Sequence, residues 1–192
     1  FVPYRFFTNC QYFFSQNSIV PDVRRSYEYG ALSTLAVTPN LCLAEVRPWL
    51  DSLSPSDQAK ILAFYSKWTG FVKEHFDLWR TTHHICDDPG PGAVEIYGHS
   101  DGNRGLVFIV NPQYFGRTVR VPLDGSLGFA GRGRCEIAEL YPTERLRLTE
   151  KGPFPRLGAT ISVEAPAQEV VVLEVRPAPK VIDEPRLYGL PG

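Results

Sequence analysis

The chain has 192 residues, of which 43% are apolar and 12% aromatic, and a net charge of −1. That length can bury a real core in one large or two small domains, while the near-neutral charge and the lack of an Arg/Lys-rich run argue against a nucleic-acid partner. No stretch approaches the roughly 20 apolar residues that span a bilayer, and no charged-then-apolar leader opens the chain, so no membrane partner is expected.

Residues 1–50 carry many aromatics. Tyr4-Arg-Phe-Phe-Thr-Asn9 has the makeup of a buried strand, and Tyr12-Phe-Phe14 continues the apolar material. Ser26–Val37 has helical content, although Thr34-Leu-Ala-Val37 suits a short strand equally well; Pro39-Asn40 breaks it. This apolar load needs a larger body to pack against than 50 residues supply.

Ser54–Trp79 is the clearest element. Ser54 is a good N-cap, Pro55 fits the first helical position, and Asp57 favours the helix N-terminus. Ile61, Phe64/Tyr65, Trp68, Phe71/Val72, His75/Phe76 and Trp79 recur at helical spacing and predict one broad apolar stripe. Such a stripe reads as a packing face and not as a ligand platform. Residues 81–92 read as a polar linker.

From Ala93 the period changes to two. Val94/Ile96, Val119/Val121/Leu123, Leu146/Leu148 and Ile161/Val163/Ala165 face one way, with Thr118/Arg120, Arg145/Arg147 and Thr160/Ser162/Glu164 opposite. Leu106–Val110 and Val170–Val175 are nearly continuous apolar runs, expected as central strands covered on both faces. Turn clusters separate the runs, and the pattern predicts seven short strands in an antiparallel β-sandwich over 93–177. A Pro-rich tail, 178–192, follows. The fold class expected is α+β: an N-terminal helical segment, then the sandwich.

Several clusters have the residue types of chemistry without its spacing. His99-Ser100-Asp101 cannot form a hydrolase triad, because adjacent residues cannot place the His between the other two side chains; it reads as a hairpin turn. His83-His-Ile-Cys-Asp-Asp88 is the best metal candidate, yet it lacks separated ligand pairs and reads as polar chain; no metal or other cofactor is expected. Gly128-Phe-Ala-Gly-Arg-Gly133 lacks a following helix that could hold phosphate. Asp22, Glu28, Glu45 and Asp51 lie where an active site would sit in the first half, and Asp22 and Glu28 suit a rim, but surface charge explains them as well. The four cysteines (Cys10, Cys42, Cys86, Cys135) form no Cys-x-x-Cys pair and read as buried thiols, with one disulfide open if the protein is exported.

Gly105-Leu-Val-Phe-Ile-Val-Asn-Pro112, then Val119–Leu123, Glu139-Leu-Tyr-Pro142, Ile161–Val163 and Val170–Val175 resemble the C-terminal β-domain of barrel glycoside hydrolases, melibiase-like α-galactosidases above all. The resemblance covers roughly residues 1–177 by order of elements. It implies that 1–80 is the end of a TIM-barrel-like catalytic domain, with Ser54–Trp79 as the closing helix. It also implies that the nucleophile and acid/base lie on earlier strands. No Lys-x-Asp nucleophile motif occurs, so no catalytic residue carries over. Asn9, at a strand end, with Gln11 and Tyr12 after it, would then face the sugar pocket's rim.

The function expected is that of the C-terminal portion of a carbohydrate-acting protein, its sandwich mainly structural and its partners carbohydrate (through the parent) and the rest of the parent polypeptide or a partner chain. The chain opens at Phe1 and has no methionine, in keeping with a processed or truncated piece that is inactive alone. The alternative is a non-catalytic module binding carbohydrate or protein, with Tyr114 and Phe115 as its stacking residues, or a subunit of a larger assembly.

Overall fold

The computed structural model describes residues 9–10, 23–39, 41–42, 50–86, 92–149 and 152–179, in two compact units, Phe1–Arg80 and Thr81–Gly192. In the first unit, strands β1 (Asn9–Cys10) and β2 (Leu41–Cys42) run side by side in parallel, Asn9 opposite Leu41 and Cys10 opposite Cys42. Parallel neighbours cannot be joined by a tight turn and need a long crossover. Helix α1 (Val23–Val37) lies between them in the chain and takes up the ambiguous Thr34–Val37 stretch as helix. It buries Tyr27, Ala31, Leu32, Leu35 and Ala36 on one stripe.

Helix α2 (Pro55–Glu74) starts where the sequence places it. Ser54 is extended, and its hydroxyl oxygen accepts the Asp57 amide at 3.2 Å, which satisfies one of the N–H groups that a helix start leaves unpaired. Asp57 in the first turn and Lys73 in the last complement the helix dipole. Ile61, Tyr65, Trp68 and Val72 form the buried stripe. Ile61 and Tyr65 join Tyr27, Ala31 and Leu50 in one apolar cluster, where the Tyr27 and Phe64 rings meet edge-on at 5.4 Å. Burial there, helped by the neighbouring Tyr27, pushes the Tyr65 hydroxyl above its ordinary range.

The helix ends sooner than the periodicity to Trp79 suggests. The chain leaves the α form at His75 and winds as a 3₁₀ helix over Phe76–Arg80. Tighter winding re-aims the side chains: Phe76, expected on the stripe, is 57% exposed, whereas Leu78 and Trp79 are buried. The anchor is Trp79, whose indole N–H donates to the Leu35 carbonyl at 2.9 Å. That carbonyl is among the last four of α1, which have no partner within their own helix.

The second unit begins with strand β3 (His83–Cys86), then β4 (Glu95–Ser100), β5 (Gly105–Asn111), β6 (Arg117–Pro122), a 3₁₀ turn at Gly125–Leu127, β7 (Cys135–Tyr141), β8 (Arg145–Leu146), β9 (Thr160–Ala165) and β10 (Glu169–Pro177). Six strands form one antiparallel sheet in the order β3-β4-β5-β10-β7-β8, and β6 pairs with β9 in a second sheet. Ile96, Val107, Ile109 and Leu173 of the large sheet share one core cluster with Val121, Ile161 and Val163 of the small one. Adjacent β5 and β10 are the central strands: β5 is buried at every position, so water reaches neither of its faces. A Cβ at Gly98 would meet the Leu127 carbonyl oxygen at 2.7 Å, so glycine is what lets the 3₁₀ turn settle on β4. The whole is an α+β chain; among its described residues no helix is long and apolar enough to cross a membrane.

Two local expectations are corrected. The stretch read as polar linker holds β3, paired with β4 from His83↔Gly98 to Cys86↔Glu95. Its polar composition hides a period of two: Ile85 packs against the core, while the His84 ring stacks on Tyr97 at 4.4 Å. At β8 the expected facing is reversed. The pairing Glu139↔Arg145 puts both residues on the face of Ile137. The buried Glu139 carboxylate accepts Arg145 Nη2 at 3.1 Å and also holds Arg147, and Leu148 is left exposed. A carboxylate out of water must be paired, and that requirement overrides the Leu/Leu alternation.

Trp79→Phe keeps the ring in place but leaves the buried Leu35 carbonyl without its donor. We expect a loss of about 1–3 kcal/mol, read as a lower urea midpoint by far-UV circular dichroism.

Candidate functional site

Strand β5 ends in a polar residue that burial obliges to be fully bonded. Asn111 Nδ2 donates to the carbonyls of Phe115 (3.1 Å), Ala165 (3.0 Å) and Pro166 (2.8 Å), and its Oδ1 accepts the Gln113 amide at 3.0 Å. Two amide hydrogens serve three carbonyls, so one is shared. The Gln113 contact is an Asx turn, which folds the chain back after Pro112. Gln113 extends the clamp: its Nε2 donates to the Gly92 carbonyl at 2.9 Å, and its own carbonyl accepts the Gln168 amide at 2.8 Å.

The loop held this way presents two adjacent aromatics to solvent, Tyr114 at 86% exposure and Phe115 at 55%. The Arg117 guanidinium carbon lies 5.0 Å from the centre of the Phe115 ring, in cation–π contact. An exposed pair of rings on backbone this well bonded is a preformed apolar surface. It holds no nucleophile and no acid–base pair. Sequence reasoning finds Tyr114 and Phe115 but passes over Arg117. The available signal is spacing, since residues two apart on extended chain share a face.

The other predicted positions fall elsewhere. Asn9 lies in β1, beside Leu41, and Gln11 and Tyr12 lie outside the described residues, as do Asp22 and Glu45. Glu28 is half-buried and accepts the Tyr27 hydroxyl at 3.2 Å, and Asp51 is exposed. His99 is completely buried, edge-on to Phe108, with Nδ1 3.4 Å from Thr82 Oγ1. Ser100 and Asp101 build the β4–β5 turn instead of a triad: Ser100 Oγ donates to the Arg104 carbonyl, and Asp101 accepts the Asn103 and Arg104 amides at 3.0 Å each. Burial works to raise the Asp101 carboxyl, but those amides and the Arg104 guanidinium outweigh it and hold the group below its ordinary value. His84 Nε2 sits 3.5 Å from Glu95, and among the described residues no group of three or more His, Cys, Asp or Glu could hold a metal ion. Cys135 is a free buried thiol that burial pushes up to about 11. Phe129 of the glycine-rich stretch is a core residue.

Asn111→Asp trades the donating amide for a carboxylate aimed at three carbonyls. We expect it to cost at least about 3 kcal/mol, measured by urea denaturation. Because the folded Asp101 carboxyl is lowered, the stability it contributes is present above its unfolded value and is lost as pH falls through the folded one. Thermal melts between pH 7 and pH about 2.5 should show Asp101→Asn losing less stability on acidification below about pH 4 than the parent chain.

No protein-family model and no curated protein matches the sequence. Among solved structures, the chain is similar to an alpha-amylase from Anoxybacillus assigned to a new glycosyl hydrolase subclass (TM-score 0.47, 11% identity, over 82% of this chain and 33% of that one). It is likewise similar to alpha-galactosidase I from Mortierella vinacea (TM-score 0.46, 12% identity, over 79% and 34%). A third is the trehalulose synthase of Pseudomonas mesoacidophila (TM-score 0.36, 20% identity, over 60% and 18%). The chain thus spans about a third of the length of the first two.

Proposed function

We propose that this chain is the C-terminal portion of a glycoside-hydrolase-like protein that acts on carbohydrate, with a β-sandwich whose role is mainly structural. The observation that carries this reading is the parallel pairing of β1 with β2 around α1. A strand–helix–strand crossover of this kind is the repeating unit of an α/β barrel. Here it precedes an amphipathic helix and then an antiparallel sandwich. Among the described residues the parallel ribbon has two strands, far short of a closed barrel, and parallel sheets are covered on both faces. In this reading the rest of the barrel belongs to the parent polypeptide or a partner chain, and with it the two carboxyl groups, roughly 5–9.5 Å apart, that glycosidic hydrolysis needs. Asn9, Gln11 and Tyr12, in or just after β1, are rim positions in this scheme, because barrel sites gather at the carboxyl ends of the strands.

A second reading, a non-catalytic carbohydrate-binding module, is favoured by one feature, the exposed Tyr114–Phe115 pair on its clamped loop. A ring with one apolar face free can stack on the apolar face of a pyranose.

The isolated 192 residues should not turn over aryl glycosides, and the native polypeptide should carry several hundred residues before Phe1 by intact mass. Turnover that disappears in Asp22→Asn or Glu28→Gln would overturn the first reading, as would a native chain beginning at Phe1. For the second, calorimetric titration with neutral oligosaccharides should show binding that is lost in Tyr114→Ala; binding that survives both Tyr114→Ala and Phe115→Ala removes the loop from consideration.

A further inference from the structure

We infer that Arg134 and Arg156 form a two-point site for a dianionic phosphate group, of the kind carried by a phosphorylated sugar or by free phosphate. The pair lies in the second unit and shares no residue with the Tyr114–Phe115 loop, so the site stands apart from both readings above.

Backbone pairing brings the two arginines together. Residues 133–135, leading into β7, run antiparallel to residues 155–157, with Arg134 directly opposite Arg156. The bonds on either side run from the Cys135 amide to the Pro155 carbonyl at 2.8 Å and from the Leu157 amide to the Gly133 carbonyl at 2.9 Å. Because those bonds belong to the neighbours, the arginines are a non-hydrogen-bonded pair, in which side chains approach most closely. Both side chains share one face, with Cβ atoms of such a pair about 4.5–5.5 Å apart. Cys135 and Pro155 are buried and Leu157 packs on the core, so the alternation turns Arg134 and Arg156 outward, and both are exposed. The Ala178 amide, just past β10, donates to the Arg134 carbonyl at 2.9 Å and fixes the bridge further.

Like charges directly opposite one another destabilise a strand pair. Arginines elsewhere in this unit sit beside carboxylates: Arg104 with Asp101, Arg145 and Arg147 with Glu139, and Arg176 with Glu136. Among the described residues no carboxylate pairs with Arg134 or Arg156. A carboxylate, with one charge and two oxygens, is matched by a single guanidinium fork. A phosphate monoester carries three acceptor oxygens and about −1.5 to −2 charge at neutral pH, enough for both forks at once. The backbone beneath is already bonded, so the ordering lost on binding is confined to the two side chains.

Calorimetric titration of the 192-residue chain in phosphate-free buffer tests this, with glucose 6-phosphate, inorganic phosphate and acetate as probes. Both phosphates should bind at least about tenfold more tightly than acetate. Their binding should tighten as pH rises through about 6, where the second phosphate proton leaves. Arg134→Gln and Arg156→Gln should each weaken both phosphates by about tenfold. Arg120, exposed on β6 opposite Ser162, has no facing arginine, and Arg120→Gln should leave them unchanged. Tighter binding of glucose 6-phosphate assigns a phosphorylated sugar and equal binding assigns phosphate alone; either supports the site. Failure of both phosphates to bind, acetate binding as tight, or affinity that ignores pH overturns it. So does binding unaltered by the two substitutions, or weakened as much by Arg120→Gln. Thermal melts give a second readout. Without phosphate, Arg134→Gln should melt higher than the parent, because one of two facing charges is gone. Added phosphate should raise the parent's midpoint more than the variant's. A variant that melts lower, or that gains as much from phosphate as the parent, overturns the inference.

Discussion

A buried primary amide has to find four hydrogen bonds inside the protein, and Asn111 draws them from two separate stretches of chain. Its partners are Gln113 and Phe115 in the loop after β5 and Ala165 and Pro166 at the end of β9. Because β5 belongs to the six-stranded sheet and β9 to the two-stranded one, this single side chain ties the two layers of the sandwich at one end. It also explains why the apolar run of β5 stops where it does. A further Val or Ile at this position would leave the buried Ala165 carbonyl without its donor and break the bonds to Phe115 and Pro166 as well.

The same constraint shapes the surface above it. The Gln113 carbonyl accepts from Gln168, so the loop after β5 and the turn before β10 are bonded to each other as well as to Asn111. Tyr114 and Phe115 cannot retreat into the core, because the backbone between them and β5 is already committed. Exposure of the rings thus follows from the geometry of the clamp. Elsewhere in this unit the polar residues that go inside are those that carry partners with them: Glu139 with Arg145 and Arg147, Glu136 with Arg176.

How much of this the sequence discloses depends on the range of the interaction involved. Helix α2 is legible from Ser54 to Val72 because its cap, first-turn Asp57 and stripe are all local. Its end is not: the shift to a 3₁₀ turn depends on Trp79 finding a carbonyl 44 residues earlier in the chain, and no window of sequence contains both. Strands β5 and β10 announce themselves as continuous apolar runs, whereas β3 hides behind two histidines whose alternation matters only once β4 lies beside them. At β8 the apolar pattern misleads, since a buried carboxylate six residues upstream draws the arginines inward. Tyr114 and Phe115 can be named from the sequence because they follow an Asn-Pro turn. That Asn111 holds them there, and that Arg117 stacks on one of them, depends on contacts to β9 and across the loop that spacing alone does not reveal.

Of the three tryptophans in the sequence, Trp49, Trp68 and Trp79, none lies beyond Arg80. The two that are described, Trp68 and Trp79, are buried, and Trp79 spends its indole N–H on a helix-end carbonyl. Intrinsic indole fluorescence therefore arises in the first unit. A red shift on denaturation marks the exposure of the first unit's indoles, Trp68 and Trp79 among them, while the sandwich has no indole of its own to report its opening. Its nine-residue strand β10 and the loop beside Asn111 would have to be followed through tyrosine or backbone amide signals, and the two halves of the chain are in effect labelled by nature for separate observation.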